Sequence, residues 1–313
     1  MRHAPVSLVV PMRDEAESLA GLLDGLARQE TLPVELIFVD TGSRDGSAER
    51  VRAWWAAAGW QEASCRVIEA RGAYPGGGRN AGVLASGQPW VAFIDCGIVP
   101  EAGWLKSLLA CAYPEDAAGA LGICGFEAAG PWPRVFCALS YGVGTRRPVL
   151  PASIFRRPLF DKAGMFDPAL RAGEDIEWLR RVSATGNSLR VCDAARVAYR
   201  QFPRSAAAAV AKWFEYERSI SASSTGGWGR RLAMTAVLWL FVLPWVAPMA
   251  GAALWLAYLA LRCIGDPVRR SAQRAWWSGE PLALMCLPFA ALAVDTGRAL
   301  GSLAGIVSSA PRS

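Results

Sequence analysis

Two short apolar runs near the start of the chain each end in carboxylates and turn-forming residues. VSLVV (6–10) leads into PMRDEAE, and ELIFV (35–39) leads into DTGSRDGS. Short runs rich in β-branched residues read as buried strands, and the Gly, Ser and Asp after them read as turns into helices. Residues 15–29 then carry Leu19, Leu22, Leu23 and Leu26 at helical spacing, and 47–58 repeat the pattern after the second run. Two such units in series give a βαβ half of a parallel sheet, and the ligand of such a sheet binds beyond the carboxyl ends of its strands. Asp14, Glu15, Asp40 and Asp45 fall at those ends.

The alternation continues. The sequence predicts strands at 65–70 and 90–95, a flexible turn at 76–78 followed by a short helix at 79–85, and a helix at 101–111. Short strands near 121–127 and 150–155, a helix at 174–184 and a closing strand at 189–192 complete it. Strands and helices in alternation imply an α/β fold, with a mainly parallel sheet covered on both faces.

The character changes after residue 200. A helix at 205–219 carries Trp213, Phe214 and Tyr216 in its second half, which suits packing on the sheet or lying at a membrane interface. Residues 232–261 then run for thirty positions without a charge. One helix of that length would span about 45 Å, more than the roughly 30 Å of a bilayer's hydrocarbon core. Pro244 and Pro248 sit near the middle, where proline breaks a helix. Arg230 and Arg231 flank one end, and Arg262, Arg269, Arg270 and Arg274 the other. Basic residues prefer the cytoplasmic side, so a hairpin over 232–264 accommodates both clusters where a single span does not. A further apolar segment at 281–307 is interrupted by Asp295 and Arg298. The division expected is therefore 1–200 catalytic, 201–231 connecting, and 232–313 membrane-associated, with the catalytic part on the cytoplasmic face. No apolar stretch before a small-residue cleavage site marks a signal peptide at the N-terminus.

Composition removes several chemistries. The net charge of +6 is modest, and 30 of the 33 basic residues are Arg. No block of like charge or aromatic RNA-binding motif points to nucleic acid. His3 is the only histidine, which excludes Ser-His-Asp, Cys-His and His-ligated metal chemistry from the core. A general base must be a carboxylate, or else Lys, Tyr or Cys. The eight Cys have no CxxC spacing, so no zinc site is expected, and a cytosolic location predicts no disulfide.

Four groups carry the remaining chemistry. The first is the set of carboxylates at 14, 15, 40 and 45, suited to a nucleobase or ribose hydroxyls, or simply to capping and turns. The second is GGGRNAG (76–82), where Arg79 near a helix start can hold a diphosphate. Its spacing mimics a dinucleotide fingerprint, but it follows the third strand and lacks the acidic partner. The third is Asp95 in FIDCG, placed to bind a ribose or a metal bridging phosphates. The fourth is FDPALRAGEDIEW (166–178), where Glu174 and Asp175 open a helix and point in different directions, one free to cap it and the other to face a cleft.

VVPMRDEAESL, FVDTGSRDGS, GGGRNAGVLASG, WVAFIDCGIVP and FDPALRAGED, in that order, resemble a family 2 glycosyltransferase of the GT-A (Rossmann-like) fold followed by a membrane-associated tail. The resemblance covers about residues 5–200. It implies an enzyme that moves a sugar from a nucleotide-diphosphate sugar, with inversion, to a hydroxyl of a lipid-linked or polysaccharide acceptor at the membrane. Pro11, Arg13, Glu15 and Asp40 then bind the nucleoside side of the donor, Arg79 lies near the diphosphate, and Asp95 matches the first acid of the DxD motif. Asp175 matches the catalytic base, with Glu174 beside it. Two positions depart from the family pattern. Thr41 stands where many members have a second acid, and Gly97 replaces the last acid of DxD, which leaves Asp95 alone as a ligand for Mg2+ or Mn2+. Two other readings stay open: a non-catalytic nucleotide-binding scaffold at the membrane, and a nucleotidyltransferase.

Overall fold

A computed structural model describes residues 2–113, 117–222 and 237–309. The chain forms two compact units, Met1–Gly125 with Arg146–Tyr199, and Phe126–Thr145 with Arg200–Ser313.

The first unit opens with β1 (Arg2–Met12), α1 (Ala16–Ala27), β2 (Thr31–Asp40), α2 (Ser47–Ala58), β3 (Ser64–Glu69), α3 (Pro75–Ala85) and β4 (Trp90–Phe93). β1 lies between β2 and β4 in parallel, with Leu8 opposite both Leu36 and Ala92, and β3 adds to the far side of β2. Val6, Leu8, Val9 and Val10 are all buried, as are Leu36, Ile37, Phe38 and Val39. That continuous burial is what a parallel sheet covered on both faces produces.

The chain continues through β5 (Ile98–Pro100), α4 (Trp104–Ala112), β6 (Ala117–Phe126), α5 (Pro131–Ser140, in the second unit), β7 (Arg146–Arg156), α6 (Pro158–Ala163), α7 (Glu174–Ala184) and β8 (Ser188–Tyr199). The strands join one sheet in the order β3-β2-β1-β4-β7-β6-β8-β5. β7 runs antiparallel to β4 and β6, and β5 antiparallel to β8. The fold is mixed α/β, with its parallel character concentrated in the half built by the βαβ repeat.

Several local expectations are corrected. The glycines at 76–78 are not a free turn but the first turn of α3, which begins at Pro75, a residue whose fixed φ suits a first helical position. They serve packing: a Cβ on Gly82 would stand 2.2 Å from Val9 Cγ1, and one on Gly78 3.2 Å from Thr41 Cγ2. β4 ends at Phe93, so Asp95 lies in the following loop. Cys111 of α4 and Cys192 of β8 form a disulfide, with Cα atoms 6.1 Å apart, where none was expected. Partners 81 residues apart become neighbours only through the fold.

Within the first unit, Phe93 of β4, Phe155 of β7, Phe160, Phe166 and Trp178 form one buried aromatic cluster. Trp178 stacks on Phe166 at 4.9 Å and meets Phe155 edge-on at 5.0 Å. Its indole N–H donates to the Gly164 carbonyl at 2.8 Å. The segment that carries Glu174 and Asp175 is thus anchored at Phe166 and Trp178, on both sides of the acids.

The second unit is helical, with α5, α8 (Ala206–Ala222), α9 (Trp239–Val246), α10 (Pro248–Leu259), a π-helical turn (Ala260–Gly265), α11 (Asp266–Arg270) and α12 (Ala283–Ser309). α8 packs on α12. A Cβ on Gly301 would stand 2.3 Å from the Phe214 carbonyl, and one on Gly297 2.7 Å from that of Val210. Small residues one turn apart are what let two helix backbones approach this closely. Asp295 and Arg298 do not interrupt the last segment. α12 runs through both, because Asp295 pairs with Arg262.

α9 and α10 fold back on one another about Ala247, with Pro244 inside α9 and Pro248 opening α10. Pro244 has no N–H to give to the carbonyl four residues back, that of Leu240. The indole N–H of Trp255 donates to it instead, at 2.8 Å. Pro248–Arg270 and Ala283–Val307 are long and apolar enough to cross a membrane, with mean hydropathy 1.3 and 1.4. Arg230, Arg231 and residues 232–236 lie outside the described residues.

Candidate active site

β1 is followed in space by β2 on one side and β4 on the other, so the connections leaving their carboxyl ends diverge and open a crevice. A cavity of about 280 Å3 occupies it, lined among others by Pro11, Arg13, Glu15, Arg79, Asp95 and Arg171. A second cavity of about 520 Å3 carries Asp40, Arg44 and Arg71, and shares Arg13 and Thr41 with the first.

The carboxylates at the first two strand ends divide into two kinds. Asp14 and Asp45 stitch loops together. Asp14 adopts φ +53°, and its Oδ1 accepts the Arg44 N–H at 2.8 Å. Asp45 Oδ2 accepts the Ala16 N–H at 2.8 Å and so holds the start of α1. The Ser47 hydroxyl and then the Ala16 N–H keep the Asp45 carboxyl below the ordinary range. Asp40 and Glu15 instead line the cavities. Asp40 Oδ1 accepts the N–H groups of Gly42 and Ser43 at 2.9 and 2.7 Å. Burial alone would raise its pKa, but those donors outweigh burial and lower it. Glu15 accepts the Ser18 hydroxyl.

The centre of the crevice is an ion cluster. Arg79 Nη1 donates to Glu174 Oε1 at 2.5 Å and Nη2 to Asp95 Oδ1 at 2.9 Å. The Arg79 side chain is 4% exposed, Glu174 7% and Asp95 39%. Glu174 is thus committed to Arg79, while the first-turn N–H of Ile176 in α7 goes to Asp175. Gly76 makes room for this approach, since a Cβ there would stand 3.3 Å from Glu174 Cγ and 2.8 Å from the Asp167 carbonyl. Burial pushes the Glu174 and Asp95 carboxyls above the ordinary range, while the Arg79 guanidinium pulls the other way. Desolvation also opposes the charge on Arg79, but Asp95, Glu174 and Asp175 outweigh it and hold the guanidinium firmly protonated.

Asp175, adjacent to Glu174, is half-buried and accepts the Ile176 N–H at 2.8 Å. It repels Asp95 and Glu174 and attracts Arg79, so all four charges share one field. The structure brings Pro11, Arg13, Glu15, Arg79 and Asp95 to one cavity and Asp40 to its neighbour. Glu174 reaches them through Arg79.

Two contributors, Asn80 and Arg171, were not legible beforehand. Asn80 Nδ2 donates to the Phe166 carbonyl at 2.8 Å, and Phe166 N–H donates back to Asn80 Oδ1 at 2.9 Å. The consecutive Arg79 and Asn80 thus clamp the 166–174 segment at both ends. Arg171 lines the cavity with its guanidinium 4.8 Å from the Tyr74 ring. Each lies inside a motif already quoted, but its role depends on contacts about ninety residues away in sequence.

A model of glycosyl transferase family 2 matches residues 7–163, half of the chain. The chain belongs to glycosyl transferase family 2. The match stops before Glu174 and Asp175. Similar curated proteins include the pre-mycofactocin glycosyltransferase of Mycobacterium tuberculosis, 31% identical over 63% of this chain and 43% of that protein. Another is the validoxylamine A glucosyltransferase of Streptomyces hygroscopicus, 31% identical over 42% of this chain and 30% of that protein. The matched region thus spans less than half the length of either relative. Among solved structures, a mannosyltransferase from Pyrobaculum calidifontis in complex with GDP-Man and Mn2+ superposes with TM-score 0.53 at 16% identity, covering 97% of this chain and 86% of that one. That likeness supports the GT-A fold.

The side chains here do not fit a resident divalent ion. Asp95 gives one oxygen to Arg79, Gly97 supplies no carboxylate, and Glu174 is held by the same guanidinium. Among the described residues no group of three His, Cys, Asp or Glu side chains converges on one point.

Proposed function

We propose that this chain transfers a glycosyl group from a nucleotide-diphosphate sugar to a hydroxyl of a lipid-linked or polysaccharide acceptor, with inversion, at the cytoplasmic face of a membrane. The observation that carries the reading is the division of labour between the paired acids. Glu174 is buried and committed to Arg79, which leaves Asp175 as the neighbouring carboxylate able to accept a proton. Relatives named as a glycosyltransferase and a glucosyltransferase support the donor class.

In this reading the nucleoside enters beside Arg13, Glu15 and Asp40. The diphosphate lies toward Arg171 and Arg13, since Arg79 already serves two carboxylates. Asp175 takes the proton of the acceptor hydroxyl. The hydroxyl oxygen bonds to the anomeric carbon as the bond to the diphosphate breaks on the opposite face, and the nucleoside diphosphate leaves. Holding both reactants in line and neutralising the diphosphate with fixed guanidiniums supply much of the acceleration. Arg79 positions Asp95 and α7 rather than touching the reacting atoms. The two long apolar helices support the membrane placement.

The test is a screen of nucleotide-sugars for thermal stabilisation of the full chain in detergent. Turnover of each hit is then measured with membrane extracts as acceptor. Saturable stabilisation by a nucleotide-sugar together with acceptor-dependent release of its nucleoside diphosphate supports the reading. Binding without release identifies a scaffold, and pyrophosphate release from a nucleoside triphosphate identifies a nucleotidyltransferase.

A further inference from the structure

Charged residues of the helical unit limit how its apolar helices can meet a bilayer. By length alone Pro248–Arg270 and Ala283–Val307 could each cross one. Yet 248–261 and 281–294 are each only fourteen residues before a charge, Arg262 in one and Asp295 in the other. Fourteen helical residues span about 21 Å, short of the roughly 30 Å hydrocarbon core. The two charges meet. Arg262 grips Asp295 with Nε to Oδ2 at 2.6 Å and Nη2 to Oδ1 at 2.9 Å, and it also donates to Asp266. Asp266 in turn accepts Arg269 Nη2 at 2.9 Å, and the Arg269 side chain is 74% exposed. Asp295 lies near the middle of α12. If α12 crossed, this cluster would sit at the bilayer midplane with an exposed guanidinium on its rim, which is costly.

The surface of α12 adds a second constraint. Met285, Phe289, Leu300, Leu303 and Val307 are exposed, and Leu292 and Thr296 between them are half-buried. At about 100° per residue these positions fall within one arc of about 80°, a largely apolar stripe about 33 Å long. Another face of the same helix meets α8. Gly297 and Gly301 lie against the backbone of Val210 and Phe214, and the Ser221 hydroxyl donates to that of Ser302 at 3.2 Å. Lys212 and Glu215 are exposed on α8. The second half of α12 therefore cannot sink into hydrocarbon without taking the charges of α8 with it.

We infer that the helical unit seats in a single leaflet. α12 lies along the interface on its apolar stripe, the α9–α10 hairpin dips its tip into the hydrocarbon, and no described helix crosses. An in-plane α12 puts the whole stripe at one depth and leaves α8 toward water, as an amphipathic interfacial helix does. The hairpin has the dimensions of one leaflet. α9 has eight residues and α10 twelve, about 12 and 18 Å, against roughly 15 Å for half the core. Its limbs stay level, since a Cβ on Gly251 would stand 2.6 Å from Pro244 Cα and Trp255 reaches back to the Leu240 carbonyl. At the tip Trp245 is 88% exposed and Met249 86%. An apolar tip and stripe of this extent suit lipid, and the exposed Arg269 and Arg274 beyond them suit its headgroups. The inference rests on the membrane placement proposed above and adds the mode of attachment.

The experiment places one nitroxide at a time on the full chain, with Cys65, Cys263 and Cys286 replaced by Ser, in vesicles of phosphatidylcholine and phosphatidylglycerol. The sites are Met285→Cys, Phe289→Cys, Leu300→Cys and Val307→Cys on the stripe, Met249→Cys at the hairpin tip and Lys212→Cys on α8. Depth is read from collisions with oxygen against a water-soluble nickel complex. The four stripe labels are expected at one depth within about 5 Å, in the outer part of a leaflet. The Met249→Cys label is expected deeper but short of the midplane, and the Lys212→Cys label in water. A crossing α12 instead puts the Leu300→Cys label about 10 Å deeper than that of Val307→Cys, which overturns the inference and leaves the membrane reading standing. Spin–spin broadening along the stripe identifies a second copy as its partner and also overturns the inference. A folded chain that stays in solution when the vesicles are sedimented overturns the membrane reading and the inference together. Where one variant does not fold, Leu303→Cys replaces it in the comparison. Nucleotide-sugar binding on the same samples reports on the first unit separately.

Discussion

Replacing Arg79 with Met removes the cation that holds Glu174 and Asp95. Breaking a buried pair by deleting one partner costs about 3–5 kcal/mol, because the remaining charge stays buried. The two carboxylates do not share that cost equally. Glu174 is 7% exposed and bears most of it, about 3 kcal/mol. Asp95 is 39% exposed and water solvates it, so it adds less than about 1 kcal/mol. A loss of about 3–4 kcal/mol lowers the melting temperature of a domain of this size by roughly 6–16 °C. The deficit depends on pH with a definite sign. Burial already raises both carboxyl pKa values in the folded state, and losing the guanidinium raises them further. Acids with raised folded pKa values favour the folded state while protonated and lose that advantage as pH rises through the folded value. The deficit is therefore smallest near about pH 4 and largest at neutral pH. Thermal unfolding of the full chain in mild detergent across that range measures it, and adding Glu174→Gln to Arg79→Met is expected to recover most of the loss. A single variant that melts within about 2 °C of wild type at neutral pH refutes the reasoning, as does a deficit that grows on acidification.

Other outcomes follow from the same geometry. Gly82→Ala places a methyl 2.2 Å from Val9 Cγ1 and is expected to cost about 1–3 kcal/mol by overpacking, measured by thermal unfolding. Asn80→Ala leaves both backbone groups of Phe166 unpaired and is expected to cost about 1–3 kcal/mol. It should also lower transfer more than donor affinity, since Phe166 leads the segment that ends at Asp175. Chelation with EDTA is expected to leave kcat/KM within about tenfold of its untreated value, because in the proposed reading the cavity's Arg13 and Arg171, rather than a preformed ion site, neutralise the diphosphate. Loss of all activity, restored by Mn2+, contradicts this.

The parallel half of the sheet is legible in the sequence because buried strands announce themselves as unbroken apolar runs, as 6–10 and 35–39 do. The helix at 174–184 is legible from its glycine start and apolar spacing, and its observed bounds agree. Glycines are harder. In GGGRNAG they read as flexibility, whereas Gly76 and Gly82 mark places where other backbone and side chains come too near for a Cβ. α5 begins at Pro131 with Pro133 close behind, so the prolines that suit a helix start conceal the helix. Carboxylates at strand ends look alike in sequence. Only the fold separates Asp45, which holds the start of α1, from Asp40, which lines a cavity. The same limit applies to Arg79, whose partners lie 16 and 95 residues away.

The central claim is that Asp175 is the base of a glycosyl transfer while Glu174 is its support. The most direct measurement compares wild type with Asp175→Asn for binding of the identified nucleotide-sugar and for acceptor-dependent release of nucleoside diphosphate. Loss of a positioned general base is expected to lower kcat by about 10²–10⁴-fold with donor affinity unchanged. An Asp175→Asn enzyme that binds donor and transfers sugar at the wild-type rate contradicts the account.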